Sequence, residues 1–234
     1  MRKKKILRLK VLYGIFLFIL LLELLGSLGA LFFGDTQAIR DAGITNLFLV
    51  VITTGAIITP WIIESRYDID IPDFLEVILI VMLFIAVVLG FLNDYYVNVK
   101  NFDKFTHALS GVTLSVVAFQ TLYIFNQSKK NTFNIGSLSM SLFAYTFSIT
   151  LLVIWEFYEF FIDTVTFNLE NAETRNMQRY QWVNESLRFP QDYGLYDTMI
   201  DLWVGALGAL VVVVVGYLLI RKKTARSIDY NERL

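Results

Sequence analysis

The chain has 234 residues, of which 56% are hydrophobic and 18% are charged, and its mean hydropathy is +0.58. This composition excludes an ordinary soluble domain and indicates an integral membrane protein. The net charge of -1 provides no basic field that would favour nucleic acid, and the absence of cysteine excludes disulfides, thiolate nucleophiles and cysteine-ligated metal centres.

The N-terminal segment combines a basic start, MRKKKILRLK, with an apolar run over residues 11–33. A secretory signal also begins with basic residues, but its apolar core is only about 7 to 15 residues long. A membrane span needs about 20 apolar residues, which this run supplies. We therefore expect a retained first transmembrane helix.

Apolar windows long enough to cross about 30 Å of hydrocarbon recur along the whole chain. They lie at about 11–33, 44–63, 74–92, 103–126, 138–163 and 196–220. These windows are too long for barrel strands and lack strand-type alternation, whereas helices satisfy every backbone group in lipid. The sequence therefore predicts an all-α, polytopic membrane protein, a bundle of about six transmembrane helices that forms a single domain over residues 1–234.

The basic residues predict which way the bundle faces, because lysine and arginine prefer the cytoplasmic side of a membrane. If successive connections alternate between the two sides, 14 of the 20 basic residues lie on the side of the termini. The other six are Arg40, Lys100, Lys104, Arg175, Arg179 and Arg188. We therefore expect both termini in the cytoplasm and the long connection 164–195 outside the cell, where it could cover the bundle as a lid.

Three predicted spans carry charged residues at the same end of the bundle. The fourth span begins with DKFTHALSG (103–111), the fifth ends with WEFYEFFID (155–163), and the sixth begins with YDTMIDLWVG (196–205). Spacings of three and four residues place these side chains on one face of each helix. We therefore expect a polar site at the outward end, formed by Asp103, Lys104, His107, Glu156, Glu159, Asp163, Asp197 and Asp201.

The depth of Glu156 makes this group of charges unusual. Glu156 precedes Asp163 by seven residues and therefore lies about 10 Å deeper along the helix. A carboxylate in hydrocarbon costs about 2.5 to 3.5 kcal/mol and normally faces a cavity, a partner or an ion. Protons could compensate the charge, which suits acid/base chemistry, and so could a divalent metal ion.

We assign the charged residues to overlapping candidate roles. The candidate catalytic residues are His107, Glu156, Glu159 and Asp201. The candidate substrate-binding residues are Asp103, Lys104 and Asp197, with Lys104 or an arginine of the 164–195 connection holding an anionic head group. The candidate metal ligands, for zinc, manganese or iron, are His107, Asp103, Glu156, Glu159, Asp197 and Asp201. A structural role as helix caps or interface residues remains open for Asp103, Asp163 and Asp197.

Other polar and small residues point to packing rather than chemistry. The small residues Ser110, Gly111, Gly205, Ala206, Gly208 and Ala209 favour close helix contacts. Glu23, at the middle of the first span, suits either a proton path or a structural bond to a neighbouring hydroxyl. Glu64 and Arg66 are interpreted as a surface pair.

The three charged motifs resemble two groups of bacterial membrane proteins. The shared pattern is Asp103, Lys104 and His107 at one span start, Trp155, Glu156 and Glu159 at a span end, and Asp197, Asp201 and Gly205 at the start of the last span. The chain resembles the VanZ-like group and, more closely, the YjdF-type family of inner-membrane proteins, over about residues 75–220. VanZ-like proteins often carry Asn at the position of Asp201, which favours the YjdF-type family. The resemblance implies a multi-pass protein of the bacterial plasma membrane with an outward-facing polar site and a possible role in the cell envelope.

Three functions remain open from the sequence. The first is an enzyme that performs metal-assisted or acid/base chemistry on a lipid-linked or envelope substrate. The second is a proton- or cation-coupled transporter, because buried carboxylates also suit ion coupling. The third is a noncatalytic envelope or partner protein whose charges serve helix packing.

Overall fold

The protein is all-helical in the residues that the structure, a computed structural model, describes: 7–67, 71–127, 135–166, 177–178 and 192–231. The helices are α1 (Leu7–Phe33), α2 (Gln37–Tyr67), α3 (Asp73–Leu83), α4 (Tyr95–Asn98), α5 (Phe102–Gln127), α6 (Ser137–Thr166) and α7 (Tyr193–Asn231). A π-helical segment, Phe84–Leu92, continues α3 without a break. The prediction of an all-α fold is confirmed.

Six helical stretches are long and apolar enough to cross a membrane, as predicted. They are Leu9–Phe33, Gln37–Arg66, Asp73–Leu92, Phe102–Asn126, Ser137–Thr164 and Tyr193–Arg221. The largest difference from the predicted boundaries is at the second span, where the helix begins seven residues before residue 44 because it includes a polar first turn. The sidedness of the termini stays a prediction, and most of the connection 164–195, with its predicted lid, lies outside the described residues.

The chain divides into two compact units, residues 1–98 and 99–234. The first unit contains α1 to α4 with the π-helical segment, and the second contains α5, α6 and α7. The prediction of one domain over residues 1–234 stays a prediction.

Apolar side chains from α1, α2 and the third span form the core of the first unit. Phe16, Ile57 and Ile80 are among the buried residues of this cluster. The hydroxyl of Tyr13 donates to the carboxylate of Glu76, which is only 1% exposed. These contacts hold the start of α3 against α1.

Glu64 corrects one sequence interpretation. It was interpreted as half of a surface pair with Arg66, but Glu64 is buried whereas Arg66 is exposed. The Glu64 carboxylate accepts a hydrogen bond from the backbone N–H of Ile71 at 3.1 Å, just beyond the end of α2. Glu64 therefore stabilises the connection between α2 and α3.

Glu23 is half-buried, and the Ser27 hydroxyl donates to its backbone carbonyl at 2.7 Å. This bond does not involve the Glu23 side chain, so both interpretations of the side chain stay predictions.

Small residues allow the backbones of α5 and α7 to approach each other in the second unit. A Cβ atom added to Gly111 would lie 2.0 Å from the carbonyl oxygen of Gly205, and one added to Gly208 would lie 2.4 Å from that of Ala108. The prediction of close packing is therefore confirmed for these glycines. The contact sets the register that places the first turns of α5 beside those of α7.

A buried hydrogen bond connects α5 to α6. The hydroxyls of Ser115 and Ser148 lie 2.8 Å apart, and both side chains are fully buried. Because the Ser148 hydroxyl donates to the carbonyl of Ala144, the Ser115 hydroxyl is the donor between the two serines. All three helices of the second unit are thus held in register by specific contacts.

We expect Gly111→Ala to lower the free energy of unfolding by about 1 to 3 kcal/mol, because the new methyl group would force the two helix backbones apart. Thermal unfolding in detergent measures the change. Gly55→Ala is the matched control, since a Cβ at Gly55 meets nothing within 4 Å and alanine has the better helix propensity. Equal stability of the Gly111 variant and the wild type would contradict the close contact.

Candidate functional site

The charged residues of three helices meet at one end of the second unit, where α5 and α7 begin and α6 approaches its C-terminal end. α5 contributes Asp103, Lys104 and His107, α6 contributes Glu156 and Glu159, and α7 contributes Asp197 and Asp201. Spacing within each helix predicted the separate faces, but the contacts between the faces come from the packing of the three helices. The structure thus brings together the seven residues that were assigned catalytic, substrate-binding or metal-binding roles.

Two further aspartates next to the site, Asp192 and Asp163, accept backbone N–H groups near the helix ends. The carboxylate of Asp192 accepts the backbone N–H of Gly194 at 2.8 Å at the start of α7, the interaction typical of a helix cap. Because Asp192 caps the helix, Asp197 is not the cap. It lies inside α7 and is buried. Asp163 has a different environment, since its two oxygens accept the backbone N–H groups of Met177 at 2.9 Å and Gln178 at 2.8 Å. Asp163 holds this short segment against α6.

The ammonium group of Lys104 joins three aspartates. Its Nζ lies 3.0 Å from Asp103 Oδ2 and 2.7 Å from Asp201 Oδ2, and it also donates to Asp197 Oδ1. A lysine has three N–H donors, so these contacts use all of them. An anionic head group could bind Lys104 only if one of the contacts opened. Its assignment to substrate binding stays a prediction.

The chain's one histidine lies between an aspartate and a glutamate. His107 is buried, with Nε2 3.5 Å from Asp103 Oδ1 and Nδ1 3.7 Å from Glu156 Oε1. Both distances exceed that of a normal hydrogen bond. The imidazole is therefore oriented towards two carboxylates without being tightly bonded to either.

Glu156 is the most unusual group at the site. Its side chain is buried, with a residue exposure of 3%, and neither carboxylate oxygen has a hydrogen-bond partner among the described residues. The Thr198 hydroxyl and the Gln178 amide are the nearest potential donors, but neither comes within normal hydrogen-bond distance of the carboxylate, and the Gln178 amide donates to Thr198 Oγ1 at 2.8 Å. Burying a carboxylate without a donor is costly, so Glu156 requires a proton, an ion or a ligand.

Glu159 and Asp201 are also buried but are partly bonded. Glu159 Oε1 accepts the indole N–H of Trp155 at 2.7 Å. Asp201 binds Lys104 through Oδ2, whereas its Oδ1 has no hydrogen-bond partner within the described part of the chain. The sequence analysis did not predict this bond, although the spacing of four residues between Trp155 and Glu159 could have suggested it.

Two sets of three side chains have metal-ligand geometry in the described residues. In Asp103, His107 and Asp201, and likewise in His107, Glu156 and Glu159, the ligand atoms lie within 4.8 Å of one another. Both aspartates of the first set contact the Lys104 ammonium, which would oppose a cation. The second set is fully buried and contains the unbonded Glu156 carboxylate. The second set is therefore a better candidate for a metal site than the first.

The spacing of the second set agrees with a shared ion. Ligand atoms about 2.1 Å from a tetrahedral zinc ion lie about 3.4 Å apart. The separation of 3.7 Å between His107 Nδ1 and Glu156 Oε1 is close to that value.

Asp197 belongs to neither set, so its assignment as a metal ligand stays a prediction. The arginines at 175, 179 and 188 lie outside the described residues.

Comparison with known proteins identifies one family. The family model described as "Predicted membrane protein (DUF2238)" matches residues 16–222. This is the YjdF-type family, so the closer of the two resemblances is confirmed. No match was found among curated proteins or among solved structures.

We expect Lys104→Met to destabilise the second unit by about 3 kcal/mol, because it leaves buried aspartates without their cation. Thermal unfolding of the purified protein measures the loss, and adding Asp201→Asn should restore part of it. Arg221→Met, which removes an exposed cation from α7 of the same unit, serves as the control. An unchanged unfolding temperature in Lys104→Met would show that the ammonium does not stabilise the three carboxylates.

Proposed function

The chain belongs to the DUF2238 family of predicted membrane proteins, and we propose that it is a metal-dependent enzyme of the bacterial plasma membrane. It holds one divalent ion between His107, Glu156 and Glu159 and performs hydrolysis or group transfer on a lipid-linked envelope substrate at the outer face. The single observation that carries this proposal is the buried Glu156 carboxylate, which has no donor within hydrogen-bond distance among the described residues and lies beside the imidazole.

The donor set suits a catalytic metal. One imidazole nitrogen and two carboxylates are ligands that zinc, manganese and iron accept. Three protein ligands leave a coordination position for water or substrate, as catalytic zinc sites do. Asp103 Oδ1, at 3.5 Å from His107 Nε2, takes the position of the carboxylate that orients a metal-bound histidine through its second nitrogen.

The remaining charged residues have separate roles in this proposal. A bound divalent ion supplies a Lewis acid that activates water or polarises the bond to be cleaved. Asp201 Oδ1, which is buried and has no bonded partner within the described residues, accepts a proton from the nucleophile. Lys104 fixes Asp201 through its other oxygen, and Asp103 and Asp197 hold the lysine in place.

The location of the site follows from the charge distribution of the whole chain. With 14 of the 20 basic residues on the side of the termini, the end that carries the site faces outward. This orientation gives the enzyme access to envelope lipids rather than to cytoplasmic substrates. The relationship to VanZ-like proteins stays a prediction that agrees with an envelope role.

Elemental analysis tests the proposal directly. We expect detergent-purified wild type to retain about one divalent ion per chain after removal of loosely bound metal, because three buried ligands surround the position. The double variant His107→Ala, Glu156→Gln should retain none. Circular dichroism and size-exclusion chromatography establish that the variant remains folded.

Asp163→Asn provides the matched control for the metal measurement. It neutralises a carboxylate on the same helix whose oxygens bind backbone amides, so its metal content should equal that of the wild type. Metal-free wild type, or equal metal content in the double variant, would contradict the metal centre. A noncatalytic role in packing would then account better for the charges.

Cation-coupled transport is the second candidate, because the first unit also buries carboxylates within its spans. Glu64 and Glu76 are both buried, and Tyr13 donates to Glu76. Intramembrane carboxylates commonly mark ion or proton pathways. Each unit would then contain a protonatable carboxyl group of its own.

Proton flux in proteoliposomes distinguishes the two candidates. If the protein couples transport to protons, a pH-sensitive dye should report flux under an imposed gradient, and Glu156→Gln and Glu76→Gln should each abolish it. For the proposed enzyme, wild type and both variants should be as impermeable as empty liposomes. Flux that depends on both glutamates would replace the enzyme proposal with transport.

A further inference from the structure

The indole of Trp155 holds one of the three candidate metal ligands. Its N–H donates to Glu159 Oε1 at 2.7 Å, which is at the short end of the range for N–H···O bonds. Glu159 is only 5% exposed and belongs to the fully buried set with His107 and Glu156. A hydrogen bond to a carboxylate is strengthened in surroundings of low dielectric constant. The bond therefore fixes the orientation of the Glu159 side chain.

Trp155 lies at the edge of the bundle rather than in its core. Its side chain is 36% exposed. A tryptophan near the end of a spanning helix commonly serves as an anchor at the membrane interface. Here the N–H turns towards Glu159, and the ring of Tyr158, with its centroid 5.1 Å from that of Trp155, packs beside the indole. Anchoring in the interface does not by itself account for this inward bond.

The bond makes the two glutamates of the metal set different. An indole N–H is a donor only, so Glu159 Oε1 is an acceptor for Trp155 as long as the bond persists. Glu159 Oε2 is then the oxygen that remains for an ion. Glu156, in contrast, has no hydrogen-bond partner at either oxygen among the described residues. Glu159 therefore suits binding through one oxygen, whereas Glu156 can bind through one or two.

The small number of available ligand atoms favours one class of metal ion. Magnesium, calcium and manganese take about six or more ligands, mostly oxygen atoms. Zinc commonly takes about four, including imidazole nitrogen and carboxylate oxygen. His107, Glu156 and Glu159 are all buried, so they have little contact with the waters that would complete a six-fold coordination. The set therefore matches zinc better than manganese.

We infer that Trp155 is a positioning residue that makes this centre selective for zinc, because it holds Glu159 as a ligand with one available oxygen. The inference rests on the proposed function, since it concerns the metal bound between His107, Glu156 and Glu159. It narrows the choice of ion to zinc over six-coordinate ions such as manganese. Trp155 binds neither metal nor substrate, and its effect passes through Glu159.

The metal affinity of a variant that lacks the indole N–H tests the inference. Trp155→Phe keeps an aromatic ring beside Tyr158 but removes the donor to Glu159. Metal-free protein in detergent is titrated with zinc and with manganese against a chromophoric chelator. We expect Trp155→Phe to bind zinc at least about tenfold more weakly, as the loss of an outer-shell partner of a metal ligand does. Manganese affinity should change less, because a released Glu159 can offer both oxygens.

Trp203→Phe is the matched control. It makes the same substitution in α7 of the same unit, at a side chain that is 62% exposed. Its zinc and manganese affinities should equal those of the wild type. Circular dichroism and the unfolding temperatures of the metal-free proteins establish that both variants remain folded.

Cobalt(II) reports the coordination number, because its visible absorption is strong in four-coordinate sites and weak in six-coordinate sites. Wild type and Trp203→Phe should give a strong band, and Trp155→Phe a weaker one per bound ion. If Trp155 served only to stabilise the fold, its substitution would change the amount of cobalt bound but not the absorption per bound ion.

The outcomes separate this inference from the proposed function. An unchanged zinc affinity in Trp155→Phe, an equal loss of zinc and manganese affinity, or an unchanged cobalt band per bound ion would overturn the role of Trp155 and leave the metal centre in place. A wild type that prefers manganese would overturn the zinc assignment. A wild type that binds none of the three ions would overturn the proposed function and this inference with it.

Discussion

The Lys104 ammonium is the interaction on which the arrangement of the second unit depends. It binds aspartates from α5 and α7 that lie where the two helices begin. Two of these carboxylates are almost fully buried, and burying such charges without a partner would destabilise the helix pair. The ion pairs are possible because Gly111, Gly205 and Gly208 allow the backbones to approach closely. Packing and charge compensation therefore support each other.

The same lysine divides the acidic residues into two classes. Asp103, Asp197 and Asp201 receive its three donors. Glu156 and Glu159 belong to α6 and lie near His107, where the Trp155 indole is the one donor within hydrogen-bond distance of their carboxylates among the described residues. The aspartates thus have a cationic partner inside the protein, whereas Glu156 has no donor within hydrogen-bond distance among the described residues. This difference, rather than the number of acids, places the candidate metal at the glutamates.

The two compact units use their buried polar residues differently. In the first unit, Tyr13 and the N–H of Ile71 bond to Glu76 and Glu64 near the ends of helices. The third span there becomes π-helical over Phe84–Leu92, a distortion that often occurs at functional positions. Gly90 in that segment leaves room for the ring of Tyr96, which would lie 2.2 Å from an added Cβ. The second unit contains regular helices, and the buried acids and the histidine among its described residues lie at one site.

The sequence by itself determined the six spans and the helical fold, because long apolar runs and helical spacing are properties of local segments. It also predicted which residues share a helix face at the candidate site, since spacings of three and four place Glu156 with Glu159 and Asp197 with Asp201 on single faces. It did not indicate the π-helical segment, the burial of Glu64 or the bond from Trp155 to Glu159. Only the tertiary structure decided that the three motifs meet, that Lys104 binds three aspartates and that Glu156 lies beside the imidazole. These features depend on the register and distance of separate helices, which the packing of small residues sets and no local pattern encodes.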